Sequence, residues 1–276
     1  MPTVLVTGAA RGIGRSITTH LAAAGWDVVA GVRTPADAAA VIELDPARIS
    51  TVLLDVTDPA HVAALETALP TQLDAVVNNA GIVVSGPQEV LTPADWRKQL
   101  DVNVIGTLDV TRAVLPRLRA TRGRVVFISS VNGRMSMPMI GAYAASKFAL
   151  EAAADALRME IKPWGVAVAL IEPAQTDTDM WRTADAMVDE TERELSPEHR
   201  ALYGRHIAGM RKMIPMSQRM ATPADGVAAA VERALTARRP RARYVVGAAP
   251  KLQVALMTRL PTAVRDVVLR KVSSQP

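Results

Sequence analysis

Short, nearly continuous apolar runs alternate with helical patterns along almost the whole chain. The runs do not alternate with polar residues, which is typical of strands buried on both faces of a parallel sheet. The sequence predicts seven such strands, at 4–7, 28–32, 50–54, 75–77, 124–129, 166–171 and 244–246. Helices are predicted between them at 13–24, 59–69, 93–119, 143–162 and 223–237. The alternation indicates an α/β fold built on a doubly wound, seven-stranded parallel sheet.

One stretch interrupts this alternation of predicted strands and helices. Residues 174–221 contain no predicted strand and are rich in Met, Thr and charged residues. A long excursion of this kind inside a domain is usually a functional lid or a helical cap. We therefore predict one domain over residues 1–276, with a helical lid at about 174–221 and a basic C-terminal extension at about 248–276.

The composition excludes several kinds of site. The chain has no cysteine, so disulfides, thiolate metal sites and cysteine nucleophiles are excluded. Its four histidines show no metal-ligand spacing, and no metal site is predicted. No apolar run is long enough for a transmembrane helix. Because the first predicted strand begins almost at Met1, we expect no signal peptide and a cytoplasmic protein.

The positive net charge of +5 does not indicate nucleic-acid binding. Residues 238–271 hold nine basic residues and one acidic residue, whereas residues 1–237 hold twenty-three basic and twenty-six acidic residues. The body of the protein is therefore slightly acidic and only the C-terminal part is basic. Aromatic residues make up 3% of the chain, and no basic stripe is interleaved with them. We expect no nucleic-acid partner.

A glycine-rich segment, 7–14, follows the first predicted strand and opens the first predicted helix. Its sequence is Thr-Gly-Ala-Ala-Arg-Gly-Ile-Gly. Glycine lets a backbone turn sharply and approach a phosphate, and the free N–H groups of a helix N-terminus attract the negative charge. Between a strand and a helix, this loop predicts binding of a dinucleotide pyrophosphate.

The end of the second predicted strand distinguishes the two nicotinamide dinucleotides. NAD sites commonly have an acid there for the ribose 2′-OH, whereas an arginine suits a 2′-phosphate. This chain has Arg33 and no carboxylate at the strand end. Arg11 in the glycine loop is placed to approach the same phosphate from the other side. The two arginines favour NADP(H) over NAD(H).

Tyr143 and Lys147 lie four residues apart at the start of a predicted helix, so they share a helix face. A tyrosine has a pKa near 10 and is a poor base at neutral pH. A neighbouring ammonium, together with the positive charge of an oxidised nicotinamide, would stabilise the phenolate. Ser130 ends the preceding predicted strand and can donate a hydrogen bond to a substrate oxygen.

With these motifs in place, the chain resembles the short-chain dehydrogenase/reductase family over nearly its whole length. The thirteen-residue step from Ser130 to Tyr143 fits the family. The other matching features are the glycine loop 7–14, Asp55, the Asn78-Asn79-Ala80-Gly81 segment, Asn103 and Lys147. The resemblance implies a Rossmann-type fold, an oxidoreductase activity on a carbonyl or an alcohol, and a homodimer or homotetramer built on the two long helices.

The resemblance also implies roles for individual residues. Tyr143 would transfer the proton, Ser130 would orient the carbonyl, and Asn103 would hold the water of a proton relay. Lys147 would bind the nicotinamide ribose and lower the pKa of the tyrosine. The complete predicted cofactor-binding set is Gly8, Arg11, Gly12, Ile13, Gly14, Arg33, Asp55, Val56, Asn79, Ala80, Gly81, Tyr143, Lys147, Pro173, Thr176 and Thr178. The chain departs from the family at Ala174, where a glycine usually follows the proline, so the fine geometry of that loop is in question.

Three functions stay open at this point. An oxidoreductase acting on a bulky, apolar small molecule is the first, because ten of the twelve methionines fall between residues 135 and 220 and methionine adapts to varied apolar shapes. The same methionines would equally pack the lid onto the body, and Pro215 interrupts the helical spacing of the last four. The second function is a β-ketoacyl-thioester reductase, and the third is a non-catalytic NADP(H)-binding sensor or scaffold. The intact set of four catalytic residues disfavours the third.

Overall fold

The computed structural model describes residues 1–177 and 184–276, and its centre is one parallel sheet. Within these residues the strands are β1 Thr3–Thr7, β2 Asp27–Val32, β3 Ile49–Leu53, β4 Ala75–Asn78, β5 Arg124–Ile128, β6 Ala167–Glu172 and β7 Arg243–Val245. Their spatial order is β3-β2-β1-β4-β5-β6-β7, and every neighbouring pair is parallel. Each predicted strand is confirmed to within one residue at either end.

Helices cover both faces of the sheet and continue beyond its last strand. Those in the described residues are α1 Gly12–Ala23, α2 Pro35–Ile42, α3 Pro59–Ala68, α4 Pro93–Leu100, α5 Thr107–Thr121, α6 Gly141–Glu160, α7 Ala184–Glu194, α8 Pro197–Met220, α9 Asp225–Thr236, α10 Ala248–Met257 and α11 Thr262–Val272. The five predicted helices correspond to α1, α3, the α4–α5 pair, α6 and α9. The sequence analysis did not predict α2, nor the helices of the lid and the C-terminal extension individually.

Four helices begin at a capping residue followed by proline. Thr34, Asp58, Thr92 and Ser196 each accept a hydrogen bond from a backbone N–H in the first turn of the helix that they precede. Proline fits the first helical position because its missing N–H would have had no partner there. This pairing explains why α2, α3, α4 and α8 start where they do.

Two apolar clusters hold the layers together, one on each face of the sheet. On β1, Val4 packs toward the cluster that contains Ile17 of α1 and Val231 of α9. The next residue, Leu5, packs into the opposite cluster with Leu150 of α6. Successive strand residues point to opposite faces, so a strand buried on both faces needs a continuous apolar run. This arrangement confirms the predicted doubly wound architecture.

The predicted lid region contains α7 and α8, and a bridge between Thr176 and Thr222 closes its base. α8 runs through Pro215, so the expected break in the methionine spacing does not end the helix. The two helices pack onto the body through a small apolar cluster that contains Val188, Ile207 and Met139. Predictions that involve Thr178, Met180 and Trp181 lie outside the described residues.

Candidate active site

A groove of about 350 Å³ opens at the carboxyl edge of the sheet, beside the point where the strand order reverses between β1 and β4. In open α/β sheets, ligands bind at this kind of crevice. Sixteen of the predicted site residues line it: Gly8, Arg11, Gly12, Ile13, Gly14, Arg33, Asp55, Val56, Asn79, Ala80, Gly81, Ser130, Tyr143, Lys147, Pro173 and Thr176. The sequence motifs therefore converge on one groove.

The glycine loop between β1 and α1 needs glycine for two different reasons. Gly8 has a φ of +64°, a left-handed conformation that disfavours side chains. A Cβ at Gly14 would lie 2.1 Å from the carbonyl oxygen of Gly8, so any other residue would force the loop apart. Because the helix N-terminus is then left open to the groove, the loop fits a pyrophosphate group.

The segment after β4 supports this loop. Asn79 Nδ2 donates to the carbonyl oxygens of Thr7, at 2.9 Å, and Gly8, at 3.1 Å. Thr7 Oγ1 accepts hydrogen bonds from the backbone N–H groups of Asn79 and Ala80, both at 3.0 Å. The asparagine side chain therefore fixes the glycine loop as well as lining the groove.

Charged residues lie at the end of the groove formed by β2 and β3. Arg33 is exposed at the end of β2, and its charge contributes to a lowered pKa of Asp55. The larger causes of that low pKa are the hydrogen bonds that Asp55 accepts from the hydroxyl and the backbone N–H of Thr57. Arg11 lies across the same groove at the start of α1. This end therefore presents two guanidinium groups, the ionised carboxylate of Asp55 and the side chain of Asp37.

Ser130, Tyr143 and Lys147 meet at the other end of the groove. A hydrogen bond joins the side chains of Ser130 and Tyr143. Lys147 Nζ lies 5.8 Å from the centre of the Tyr143 ring and donates to the carbonyl oxygen of Ile128 at 2.9 Å. The i, i+4 spacing on α6 places Tyr143 and Lys147 on one face, as predicted.

Burial shifts the pKa values of both side chains. Burial raises the pKa of Tyr143, and the hydrogen bond with Ser130 lowers it to a smaller extent. Burial lowers the pKa of Lys147 to about 8, against a raising effect from the charge of Glu151. The lysine is therefore mostly protonated at pH 7. Tyr143 is therefore a neutral hydroxyl at pH 7 and can act as a hydrogen-bond and proton donor.

Asn103 lies behind the groove, in a π-helical turn, Asp101–Gly106, that joins α4 to α5. Its Nδ2 donates to Ile82 O and to Ser146 Oγ, each at 3.0 Å, and its Oδ1 accepts from the Ile82 N–H at 2.9 Å. Ser146 in turn donates to the carbonyl oxygen of Tyr143. Asn103 therefore connects the segment after β4 to the helix that carries Tyr143.

The loop after β6 accommodates alanine in place of the usual glycine. Among the described residues, the non-glycine residues with positive φ are Arg122, Met139 and Ser274, so Ala174 needs no left-handed conformation. Ala174 lines the groove together with Pro173 and Thr176, and Thr176 Oγ1 donates to the carbonyl oxygen of Ala174. Thr178 lies outside the described residues.

The sequence analysis missed several groove residues. Most lie at strand ends or directly after strands, which was an available signal: Val32, Leu54, Thr57, Ile82, Ile128 and Ser129. Asp37 comes from the first turn of α2 and Val102 from the π-helical turn, and no local pattern marked either. No group of His, Asp or Glu that could hold a metal is present within residues 1–177 and 184–276.

The methionines do not form one surface. Met135 packs with Val254 and Met257 of α10, whereas Met139 packs with the lid helices. Met220, at the end of α8, is exposed. In the parts of the chain that the structure describes, the methionines next to Ser130 are therefore packing residues between the body, the lid and the C-terminal helices.

Comparisons with known proteins agree with the geometry. The family model described as short chain dehydrogenase matches residues 2–189. The chain is 35% identical to mouse (Mus musculus) retinol dehydrogenase 5, over 99% of this chain and 89% of that protein. It is 34% identical to an NADPH-dependent 3-dehydrocapnine reductase from Ornithobacterium rhinotracheale, over 97% of this chain and 95% of that protein.

A solved structure has the same architecture. A short-chain dehydrogenase from Streptomyces avermitilis superposes with a TM-score of 0.79 at 27% identity, covering 99% of this chain and 97% of that one. No helix in the described residues is long and apolar enough to cross a bilayer. The glycine loop, the parallel sheet and these matches agree: the chain belongs to the short-chain dehydrogenase family and is an NAD(P)-dependent oxidoreductase.

Proposed function

We propose that the protein interconverts a carbonyl and an alcohol with NADP(H), and that its substrate is a bulky, apolar small molecule. The observation that carries the reaction type is the alignment of Ser130, Tyr143 and Lys147 at one end of the dinucleotide groove. These groups supply a hydrogen-bond donor, a proton donor and a cation around one position at which a substrate oxygen can bind.

In this mechanism NADP(H), when bound, supplies or accepts the hydride. Ser130 Oγ donates a hydrogen bond to the substrate oxygen and orients the carbonyl carbon. In reduction the Tyr143 hydroxyl donates its proton to that oxygen, and in oxidation the phenolate takes the proton back. The ammonium of Lys147 stabilises the phenolate and binds the ribose of the dinucleotide. Asn103 helps to position the helix that carries Tyr143, because it donates a hydrogen bond to Ser146, which in turn donates to the carbonyl oxygen of Tyr143.

The preference for NADP(H) is supported by charge at the far end of the groove. Arg11 and Arg33 both line it, and a guanidinium binds a phosphate through paired hydrogen bonds. The carboxylate of Asp37 also lines the groove but accepts a hydrogen bond from Thr34 at the start of α2. One relative with 34% identity is named as NADPH-dependent.

The apolar substrate class is supported by the relatives more than by the methionines. The relative with 35% identity is named as a retinol dehydrogenase and is matched over 99% of this chain. The lid helices and the C-terminal helices both pack through apolar clusters on the loop that follows Ser130. We propose that residues 1–276 form one domain in which the lid helices and the C-terminal helices together enclose the substrate.

Turnover of a substrate panel tests the proposal. We expect NADPH-dependent reduction of large hydrophobic ketones and aldehydes with a higher kcat/KM than for small polar ketones, because a buried apolar surface gains about 1–3 kcal/mol per methylene. Several lipophilic compounds are expected to react, since an apolar pocket discriminates weakly. A higher kcat/KM for the small polar set would contradict the substrate class. Exclusive turnover of acyl thioesters would favour a β-ketoacyl-thioester reductase, and binding of NADPH with no turnover would favour a sensor.

Exposed apolar residues on the long helices favour self-association of the chain. Ile105 on the π-helical turn and Phe148 and Met159 on α6 are 45% to 65% exposed. We propose that these helices form the contact of a homodimer or homotetramer.

A further inference from the structure

A cluster of charged residues lies beside the proposed active site, between α6 and the strands β6 and β7. Arg243 of β7 is its centre. Arg243 Nε lies 2.9 Å from Glu151 Oε2 and 3.3 Å from Glu172 Oε1, and its Nη2 lies 2.6 Å from Asp155 Oδ2. Arg134, from the loop after β5, reaches Glu172 at 3.4 Å.

The carboxylates of this cluster are buried and only partly satisfied. The Glu172 side chain is fully buried and that of Glu151 is 7% exposed. Each has one carboxylate oxygen, Oε2 of Glu172 and Oε1 of Glu151, that lacks a hydrogen-bond partner among the described residues. Buried negative charge of this kind is stable only beside a compensating cation. Arg243 is the cation that contacts both carboxylates.

The cluster adjoins the proposed proton-transfer residues through two elements. Glu151 lies one helical turn after Lys147 on α6, and there is room for it only because Gly133, near Ser130, has no side chain. Glu172 is the last residue of β6 and directly precedes Pro173 in the groove. Arg243 therefore ties the helix of Tyr143 and Lys147 to the strand end that leads into the cofactor loop.

We propose that Arg243 and Glu151 form a positioning pair that balances the charge around Lys147 and Tyr143. This inference rests on the proposed function and assigns a role to two residues that touch neither substrate nor cofactor. The charged and titratable groups that face the pair are Lys147 and Asp155 on α6, Glu172 on β6 and Arg134 after β5. With Arg243 present, the negative charge of Glu151 is partly neutralised. Without it, that charge acts fully on Lys147.

Two single variants have opposite expected effects. Arg243→Met removes a positive charge, so the pKa values of Lys147 and Tyr143 are expected to rise. In the pH profile of kcat for alcohol oxidation, the limb on the acid side is therefore expected to move to higher pH by about one unit. Glu151→Gln removes a negative charge, so the same limb moves to lower pH. Arg243→Lys keeps the charge and is expected to restore the wild-type limb. Arg241→Met is the matched control, because Arg241 is an exposed arginine two residues earlier.

The double variant Arg243→Met, Glu151→Gln completes the test. It removes one charge of each sign, so its acid limb is expected within about 0.3 pH units of the wild-type limb if the two residues act as a pair. If Arg243→Met loses thermal stability but keeps the wild-type acid limb, the proposal is overturned. A purely structural role would change the stability without shifting the pH profile of kcat. If Arg243→Met does not fold, Glu151→Gln decides alone: an unshifted limb, or one shifted to higher pH, overturns it.

A second readout separates this proposal from the proposed reaction. The affinity for NADPH, followed by its fluorescence, is expected to fall as Lys147 loses its proton above about pH 8. The pH at the midpoint of this fall in affinity is expected to be higher in Arg243→Met and lower in Glu151→Gln than in wild type. Wild-type protein that turns over no member of the substrate panel would contradict the proposed function, whereas unshifted NADPH midpoints would contradict the charge-balancing pair.

Discussion

At the scale of single residues, burial beside a sheet edge sets the chemistry of this protein. Lys147 has a pKa lowered to about 8 because it is buried, and Glu172 has a pKa raised to about 7 because it is buried beside Glu151. Burial also raises the pKa of Tyr143 and keeps its hydroxyl neutral, and the hydrogen bond with Ser130 offsets part of this rise. Lys147 and Glu172 therefore titrate near physiological pH, whereas Tyr143 stays protonated there.

Replacement of the tyrosine tests proton transfer. Tyr143→Phe removes only the ionisable oxygen, so we expect kcat to fall by about 100-fold or more while the Kd for NADPH changes by less than about twofold. Steady-state kinetics and NADPH titration measure the two quantities. Tyr244→Phe is the control, because the Tyr244 hydroxyl accepts a hydrogen bond from an exposed backbone N–H. A Tyr143→Phe enzyme that keeps more than about a tenth of the wild-type rate would contradict the assignment.

Glu172 links stability to pH. Its folded pKa of about 7 lies above the ordinary value of 4.5, so the folded protein binds more protons between those pH values and its stability decreases as the pH rises through them. Glu172→Gln removes the cost of the buried charge. We expect it to be about as stable as wild type at pH 4.5 and up to about 3 kcal/mol more stable at pH 8.

Urea unfolding at several pH values measures this difference. Glu43→Gln, at an exposed carboxylate at the end of α2, is the control for loss of a surface charge. A Glu172→Gln variant whose stability parallels that of wild type at all pH values would show that folding does not raise the pKa of Glu172.

At the scale of elements, the site is assembled where strands end and helices begin. The glycine loop joins β1 to α1, Asn79 follows β4, and Ser130 follows β5. The π-helical turn around Asn103 widens the helix at the point where that side chain reaches Ile82 and Ser146. Such turns often occur at functional positions. Short connections on a rigid sheet therefore hold each polar group in place.

The junction of β2 and α2 carries the prediction about cofactor preference. Arg33→Asp removes a charge-assisted partner for a 2′-phosphate and places an acid near a ribose 2′-OH. We expect NADPH binding to weaken by about 2 kcal/mol, with use of NADH retained or improved. Titration of both cofactors against wild type and variant measures this. A wild-type protein that already prefers NADH would contradict the assigned roles of Arg11 and Arg33.

At the scale of the whole molecule, the lid and the C-terminal extension contact each other as well as the body. A Cβ on Gly209 of α8 would lie 2.3 Å from the carbonyl oxygen of Ser274. Gln275 Nε2 donates to the carbonyl oxygen of His206 in the same helix. On the other side, Leu269 of α11 packs in one cluster with Met135. The C-terminal residues therefore connect the lid to the loop beside Ser130.

Two glycines in one helix provide a matched test of this contact. Gly204→Ala meets nothing within 4 Å, so we expect α8 to gain about 0.5–1 kcal/mol of stability from alanine. Gly209→Ala places a methyl group against Ser274, so we expect a loss of about 1–3 kcal/mol and a higher KM for large ketones. Chemical unfolding and steady-state kinetics measure these effects. Equal stabilities of the two variants would show that the C-terminal residues do not hold the lid.

The sequence by itself determined the sheet and most of the groove. Strand positions followed from continuous apolar runs, because burial on both faces leaves no room for polar residues. The glycine loop and the spacing of Tyr143 and Lys147 are also local, since a turn and a helix face depend on neighbouring residues. These patterns identified nine of the sixteen predicted groove residues before any long-range contact was known, and the resemblance to the family supplied the other seven.

Only the tertiary structure decided which distant residues meet. The hydrogen bonds of Asn79 to Thr7 join residues 72 positions apart, and the contact of Arg243 with Glu151 spans 92 positions. Neither pair carries a local pattern, because packing of strand on strand and helix on sheet brings them together. Burial, which set the pKa values of Lys147 and Glu172, likewise depends on the surrounding layers and not on neighbouring residues in the sequence.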